Sequence, residues 1–141
     1  MDYKESIRSS APFSKSDLEQ TVKNLRRYRS MMWNQAQKDD KLEYALQYYD
    51  VVQTLIYGIY FTWEKYQYEN GWIDSIAEED EDMLQYRMFQ MNVVERITGL
   101  LQACRFQNIF SMFPEGKKTN EMLILIYSDL LSNIKKGIIR V

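Results

Sequence analysis

The order of apolar and polar positions along the chain predicts an all-α fold. Apolar residues recur at intervals of three and four in four segments, and no run shows the strict alternation next to a hairpin signal that is typical of strands. Two prolines and five glycines in 141 residues are few helix breakers. We therefore predict a single domain with a four-helix bundle-like fold over residues 14–141, with long second and third helices. A flexible N-terminal arm over residues 1–13 is predicted to precede it.

The first predicted helix extends from about Asp17 to Gln37. Ser16 and Glu19 are spaced as a capping box, in which two side chains accept backbone N–H groups at the start of a helix. The apolar positions form one stripe, as expected for a helix that packs on a core with one face: Leu18, Val22, Leu25, Met32 and Ala36.

The stretch from Lys41 to Trp72 holds half of the aromatic residues of the chain and is predicted to form the second helix, with Asp40 as its N-cap. Beside its core stripe it carries two further apolar rows. The second row is Tyr44, Tyr48, Val51 and Leu55, and the third row is Tyr57, Phe61 and Tyr68. A helix on one side of a core needs a single stripe roughly 100° wide. The excess of apolar rows predicts that the second helix either lies at the centre of the bundle or forms part of an interface.

The third predicted helix begins at Ser75, which has the capping-box spacing with Glu78, and ends near Phe110. The acidic residues 78–82 would occupy its first turn, where the helix dipole favours carboxylates. Its predicted buried seam has a heptad-like spacing: Leu84, Met88, Met91, Val94, Ile97, Leu101 and Cys104.

The fourth predicted helix extends from about Glu121 to Lys136, with Thr119 or Asn120 as its cap. Gly137 is predicted to end it. The apolar pair at 138–139 then forms a tail that needs a groove to cover it.

Composition excludes several kinds of chemistry. The chain has no histidine, which excludes histidine-ligated zinc and haem as well as Ser-His-Asp and Cys-His catalysis. Its single cysteine, Cys104, allows no intrachain disulfide and lies on the predicted seam, where a structural role is expected. The glycine-rich nucleotide-binding motifs are absent. No cofactor and no metal site are therefore predicted.

Charge and hydropathy bear on location. A net charge of −2 gives no general attraction to nucleic acid. The longest apolar runs, at 55–61 and 122–127, fall far short of the roughly 20 residues of a membrane span, and the first residues lack an apolar signal segment. We expect a cytoplasmic protein without membrane contact. The short length and the lack of catalytic motifs would suit a regulator of a phage or mobile element.

The leading functional hypothesis is a non-enzymatic protein that binds another protein, or itself as a homodimer. A small regulator, inhibitor or chaperone would fit this description. Tyr, Trp, Met and Arg are enriched in the cores of interfaces. The predicted partner-binding residues on the second helix are Tyr44, Tyr48, Leu55, Tyr57, Phe61 and Tyr68. On the first helix they are Arg26, Arg27 and Arg29, whose other interpretation is a solvated helix face.

Residues 88–110 suggest an alternative function. Their pattern resembles the region-4-type helix-turn-helix of sigma-like regulators, with matching positions at Glu95, Ile97, Leu101 and Arg105. This resemblance implies a DNA-binding transcription regulator, with Arg105 on the helix that would contact bases. The sequence departs from the pattern at three positions: Thr98, Gln102 and Asn108.

The acidic run supports a second alternative. All-helical nucleotide pyrophosphohydrolases hold metal ions with paired carboxylates on neighbouring helices, and this run contains Glu78-x-x-Glu81 and Glu79-x-x-Asp82. The partner helix lacks a matching pair, because Glu64 and Glu69 are five residues apart and do not share a face. This alternative would be a carboxylate-metal hydrolase.

Overall fold

The computed structural model describes residues 11–38, 42–70, 75–78, 82–107 and 109–141, and the side chains of these residues except 42–47 and 67–70. The helices of the described residues are α1 (Lys15–Lys38), α2 (Leu42–Asn70), α3 (Met83–Met91), α4 (Val93–Gln107) and α5 (Gly116–Lys135). These residues contain no strand, and the helices pack as a bundle-like domain, so the all-α prediction is confirmed. Most of the predicted N-terminal arm, residues 1–10, and the predicted Asp40 cap lie outside the described residues.

Helix α1 has the predicted apolar face but a different cap. The Ser14 hydroxyl accepts from the Asp17 N–H at 3.1 Å, and the Asp17 carboxylate accepts from the Ser14 N–H at 2.8 Å. This reciprocal capping box begins the helix at Lys15, so the predicted cap at Ser16 is wrong. All five residues of the predicted stripe are buried, and Tyr28 is buried with them. Just before the helix, the Phe13 ring is buried against Tyr66, with the ring centroids 5.0 Å apart.

The predicted third helix is two helices that meet at Asn92. Ser75 and Glu78 lie outside a helix, and α3 begins after Asp82, whose carboxylate accepts from the N–H groups of Leu84 and Gln85. At the other end, the Asn92 N–H donates to the Phe89 carbonyl, which ends the α-helical bonding of α3. The predicted start is therefore wrong, and the acidic residues 79–81 lie outside the described residues.

The predicted seam is wrong along α3. The side chains at its first four positions, Leu84, Met88, Met91 and Val94, are exposed, whereas Ile97, Leu101 and Cys104 are buried as predicted. The buried stripe instead follows a second set of residues with spacings of three and four, beside which Leu100 is also buried: Tyr86, Phe89, Val93, Ile97, Leu101 and Cys104.

Helix α5 begins at Gly116, earlier than predicted. A Cβ atom at Gly116 would lie 1.6 Å from the Phe110 carbonyl oxygen, so the close approach of the preceding turn requires glycine here. Thr119 and Asn120 are buried inside the helix and do not cap it. The Asn120 amide donates to the Cys104 carbonyl of α4, and the Asn24 amide of α1 donates to the Thr119 hydroxyl.

The C-terminal end of α5 follows the prediction. Gly137 has φ +75°, the left-handed conformation that ends many helices. Behind it, the N–H groups of Ile138 and Ile139 donate to the Asn133 carbonyl, and Ile139 is buried in the core. The groove that the tail needs is supplied by the chain itself.

Candidate functional site

Helix α2 lies at the centre of the bundle, and α3 covers Tyr57 and Phe61 of its third row. The Tyr86 ring lies 5.7 Å from Tyr57 and 6.2 Å from Tyr60, centroid to centroid. The Phe89 ring lies 6.4 Å from both Tyr57 and Phe61. These five buried rings, three from α2 and two from α3, form an aromatic cluster, and pairs of this geometry contribute beyond their buried area.

Helices α4 and α5 pack against the C-terminal end of the second row, at Leu55. Leu55 is buried, and the Tyr127 hydroxyl of α5 donates to the Leu55 carbonyl at 2.5 Å. Gly58 permits this approach, since a Cβ atom there would lie 2.5 Å from the Tyr127 hydroxyl oxygen and 3.0 Å from Ile97 Cδ1. Tyr48 is partly buried and packs against the core.

The structure therefore places three predicted partner-binding residues, Leu55, Tyr57 and Phe61, in the core of their own chain. Little of their surface is open to a partner. The central-helix interpretation accounts for these positions. Tyr48 keeps some exposure, and the side chains of Tyr44 and Tyr68 lie outside the described ones.

The three predicted arginines all bind within the chain. The Arg26 guanidinium donates to the Tyr60 hydroxyl and to the Ile76 carbonyl at 2.6 Å, and its Nε lies 3.4 Å from Glu78. Arg27 donates to the Pro114 carbonyl at 3.1 Å, and Arg29 donates to the Gln53 side chain at 2.8 Å. These contacts tie α1 to α2 and to two connections.

The apolar surface that remains exposed is concentrated on α3 and the start of α4. Of the eleven large apolar side chains that are exposed among the described residues, five lie between positions 83 and 94. Single exposed apolar side chains are ordinary, but neighbouring ones mark interfaces. The five are Met83, Leu84, Met88, Met91 and Val94.

Three of these residues form a row along α3, which we call the outer row: Leu84, Met88 and Met91. Their side chains are 68%, 51% and 80% exposed. Their spacings of four and three residues place them on successive turns of one face. At about 100° per residue, this face is opposite the one that carries Tyr86 and Phe89. Helix α3 is thus apolar on both faces, and the described residues of the chain cover only one.

A groove of about 350 Å³ runs beside the outer row, between α2 and the helices α3 and α4. Met88 forms part of its wall, and the remaining lining is mostly polar: Asp50, Gln53, Thr54, Tyr57, Gln85, Phe89 and Arg96. A second shallow groove, of about 430 Å³, is lined by Arg29, Ser30, Trp33, Asn34 and Tyr49 at the end of α1.

Buried titratable groups have structural partners. The Tyr66 hydroxyl donates to Asp129 at 2.7 Å and accepts from the Asn133 amide at 2.8 Å. Burial raises the pKa of Tyr66, and burial also raises the pKa of Asp129 above 3.8 although the Tyr66 bond opposes it. Burial raises the pKa of the Cys104 thiol to about 12, so it is protonated at neutral pH, and the predicted structural role fits its position.

The described residues bear only in part on the two alternatives, because Glu79 and Glu81 of the acidic pairs lie outside them. Gln102, at the predicted turn of the helix-turn-helix, lies in the middle of α4, so the resemblance over 88–110 does not extend to the structure. Among the described residues no cluster of three or more Asp, Glu, His or Cys side chains could hold a metal ion. Glu78 is paired with Arg26 instead.

The outer row is the surface feature that the sequence interpretation misplaced. The heptad-like spacing found these residues, but they were assigned to the buried seam.

None of the described helices is long and apolar enough to cross a membrane. In comparisons with protein-family models, with curated proteins and with solved structures, no match to this chain is found.

Proposed function

We propose that this chain is a non-enzymatic protein-binding module that uses the outer row of α3 as its contact surface. The observation that carries the proposal is the two-faced α3, whose inner aromatic face is buried and whose outer face exposes Leu84, Met88 and Met91. A small regulator, inhibitor or chaperone would use such a surface. The contact lies on α3 rather than on the aromatic rows of α2.

The physical reason is the cost of leaving the outer row in water. Full burial of one Leu or Met side chain is worth about 1.5–3 kcal/mol. A row of three neighbours gives a partner several such contributions at one place, and part of that sum offsets the entropy lost on association. Two of the three are methionines, whose flexible side chains adapt to differently shaped partners.

The row has the form that a partner helix recognises. Positions 84, 88 and 91 follow the i, i+4, i+7 spacing of anchors in helix-to-helix contacts. The distance along α3 from the first to the last is about 10 Å at 1.5 Å per residue, or two turns. The groove beside Met88 gives room for a side chain that lies next to the row.

Site-directed photo-crosslinking tests the proposal. A benzophenone amino acid at position 88 should give a covalent adduct with protein in native lysate, whereas the same group at the exposed Glu121 of α5 should not. The double change Leu84→Ser with Met91→Ser should abolish the adduct while the melting temperature changes little, because both side chains are exposed. Equal adducts at 88 and 121, or none at 88, would refute the proposal.

A further inference from the structure

Exposed methionines are concentrated on α3. The side chains of Met83, Met88 and Met91 are 55%, 51% and 80% exposed. They are three of the five exposed methionines among the described residues, and the other two, Met31 and Met112, lie on α1 and in the connection between α4 and α5. The thioether side chains of the outer row are therefore open to small reagents in the solvent.

The sulfur-containing side chains of the core are shielded from such reagents. Met32 on α1 is 7% exposed, and Cys104 on α4 is 1% exposed. Because burial raises the pKa of the Cys104 thiol to about 12, this sulfur is not a thiolate at neutral pH. Oxidation of sulfur depends on exposure and, for cysteine, on thiolate character. An oxidant in solution would therefore react at the outer row before it reacts in the core.

Oxidation changes a methionine from an apolar side chain into a polar one. A hydroperoxide transfers one oxygen atom to the thioether sulfur: the S–O bond forms, the O–O bond breaks, and the leaving hydroxide takes the proton of the transferred hydroxyl to give water. The sulfur loses the two electrons that the peroxide gains. The sulfoxide oxygen accepts hydrogen bonds, so its burial against an apolar partner is unfavourable unless a donor lies nearby.

We propose, building on the protein-binding function proposed above, that Met88 and Met91 are a reversible oxidation site that releases the partner of the outer row. The oxidant is hydrogen peroxide or another hydroperoxide. Methionine sulfoxide reductases reverse the step: the sulfoxide oxygen leaves as water, and two thiols become a disulfide. Leu84 is not oxidised in this way, so the oxidised row keeps one apolar side chain of its three.

The fold should survive this oxidation, because both side chains lie outside the core. Met88 and Met91 are on the face of α3 opposite the buried rings of Tyr86 and Phe89. Binding to a partner should weaken by about tenfold for each sulfoxide that is buried without a hydrogen-bond donor. Loss of the contact is thus separable from loss of the fold, which circular dichroism measures.

Mass spectrometry of the whole chain treated with hydrogen peroxide tests the site itself. In the folded chain, Met91 and Met88 should gain oxygen at least about tenfold faster than the buried Met32, and the difference should disappear in denaturant. Equal rates in the folded chain, or unfolding of the chain as Met88 and Met91 are oxidised, would overturn the inference.

Photo-crosslinking tests the effect on binding. A benzophenone amino acid at position 84 leaves both methionines in place. The purified chain is oxidised, freed of peroxide, added to native lysate and irradiated, and its adduct is compared with that of the untreated chain. The adduct should fall at least about tenfold, and treatment with methionine sulfoxide reductases of both epimer specificities should restore it.

A variant assigns the effect to the outer row. Met31→Leu with Met83→Leu and Met112→Leu removes the exposed methionines outside the row, and its adduct should still be lost on oxidation and restored by reduction. If only the wild type loses its adduct, another methionine is responsible and the inference is overturned.

The remaining outcomes separate the two proposals. If the untreated chain forms an adduct and the oxidised chain forms as much, the binding function stands and the oxidation site is overturned. The same holds if the reductases do not restore a lost adduct, because the loss then reflects irreversible damage. If the untreated chain forms no adduct at position 84 or at position 88, both proposals fail.

Discussion

Helices α2 and α3 both carry apolar side chains on more than one face, but they lie in different surroundings. Helix α2 contacts all four other described helices, and none of its large apolar side chains between 48 and 66 is exposed. Helix α3 is short and packs mainly on α2 and α4. Its outer row faces water. Apolar residues on several faces therefore indicate an interface only where the chain has no other element to cover them.

The largest difference in the free energy of unfolding is expected between substitutions of two neighbouring residues on opposite faces of α3. Phe89→Ala removes a buried ring from the aromatic cluster and should lower the free energy of unfolding by about 3–5 kcal/mol. Met88→Ala, on the exposed side, should change it by less than about 0.5 kcal/mol. Urea denaturation of both variants measures the difference. Equal losses would mean that the two faces of α3 are not distinct.

A second pair tests how closely α2 is enclosed. In Gly58→Ala the new Cβ would lie 2.5 Å from the Tyr127 hydroxyl oxygen, and the overpacking should cost about 1–3 kcal/mol net of the gain in helix propensity. Gly99→Ala on α4 meets no atom within 4 Å and should stabilise by about 0.5–1 kcal/mol. Thermal unfolding of the two variants should give shifts of opposite sign. A stabilised Gly58→Ala would contradict the close packing of α5 on α2.

Substitution of one buried tyrosine on α2 and one on α3 compares the polar contacts of the two helices. Tyr66→Phe removes the bond to Asp129 and should cost about 1–2 kcal/mol, because the acceptor is charged but only partly buried. The Tyr86 hydroxyl is buried and has no hydrogen bond of regular geometry among the described residues, although the side chains of Glu64 and Gln90 lie close enough to affect its pKa. Tyr86→Phe should therefore cost less than Tyr66→Phe. Chemical denaturation that gave a loss for Tyr86→Phe as large as that for Tyr66→Phe would show that this hydroxyl has a partner.

The smallest expected effect is a pH dependence of the stability of the fold, at the contact between Tyr66 and Asp129. Because burial raises the pKa of Asp129 above 3.8, the folded chain holds this proton at pH values where the unfolded chain has released it. The carboxyl thus destabilises the fold at neutral pH, and the chain gains stability as the pH falls through the folded-state pKa. Asp129→Asn keeps an acceptor for Tyr66 but cannot titrate.

The measurement is the difference in melting temperature between the wild type and Asp129→Asn from pH 7 to pH 4. The melting temperature of the wild type should rise relative to that of the variant as the pH falls. A constant difference, or one that moves the other way, would show that the folded state does not raise this pKa.

Much of the fold could be predicted from the sequence where a helix has one apolar stripe. In α1, the spacing of Leu18, Val22 and Leu25 is compatible with only one buried face, and all three side chains are buried in the structure. At the end of α5, Gly137 allows the left-handed turn that brings Ile139 into the core. These results follow from local stereochemistry and from periodicity, which act over a few residues.

The candidate site could not be predicted in the same way, because α3 has two apolar stripes. The stripe of Leu84, Met88 and Met91 and the stripe of Tyr86, Phe89 and Val93 both have helical spacing, and periodicity does not distinguish them. Asn92 adds a break that the smooth pattern does not show.

By itself, the sequence determined the all-α class, the burial of α1, the central apolar excess of α2 and the end of α5. Only the tertiary structure decided which face of α3 turns inward, because that choice depends on rings from a distant part of the chain. The rings of Tyr86 and Phe89 cover the aromatic surface that α2 presents with Tyr57, Tyr60 and Phe61. Met88 and Met91, on the opposite face, remain exposed.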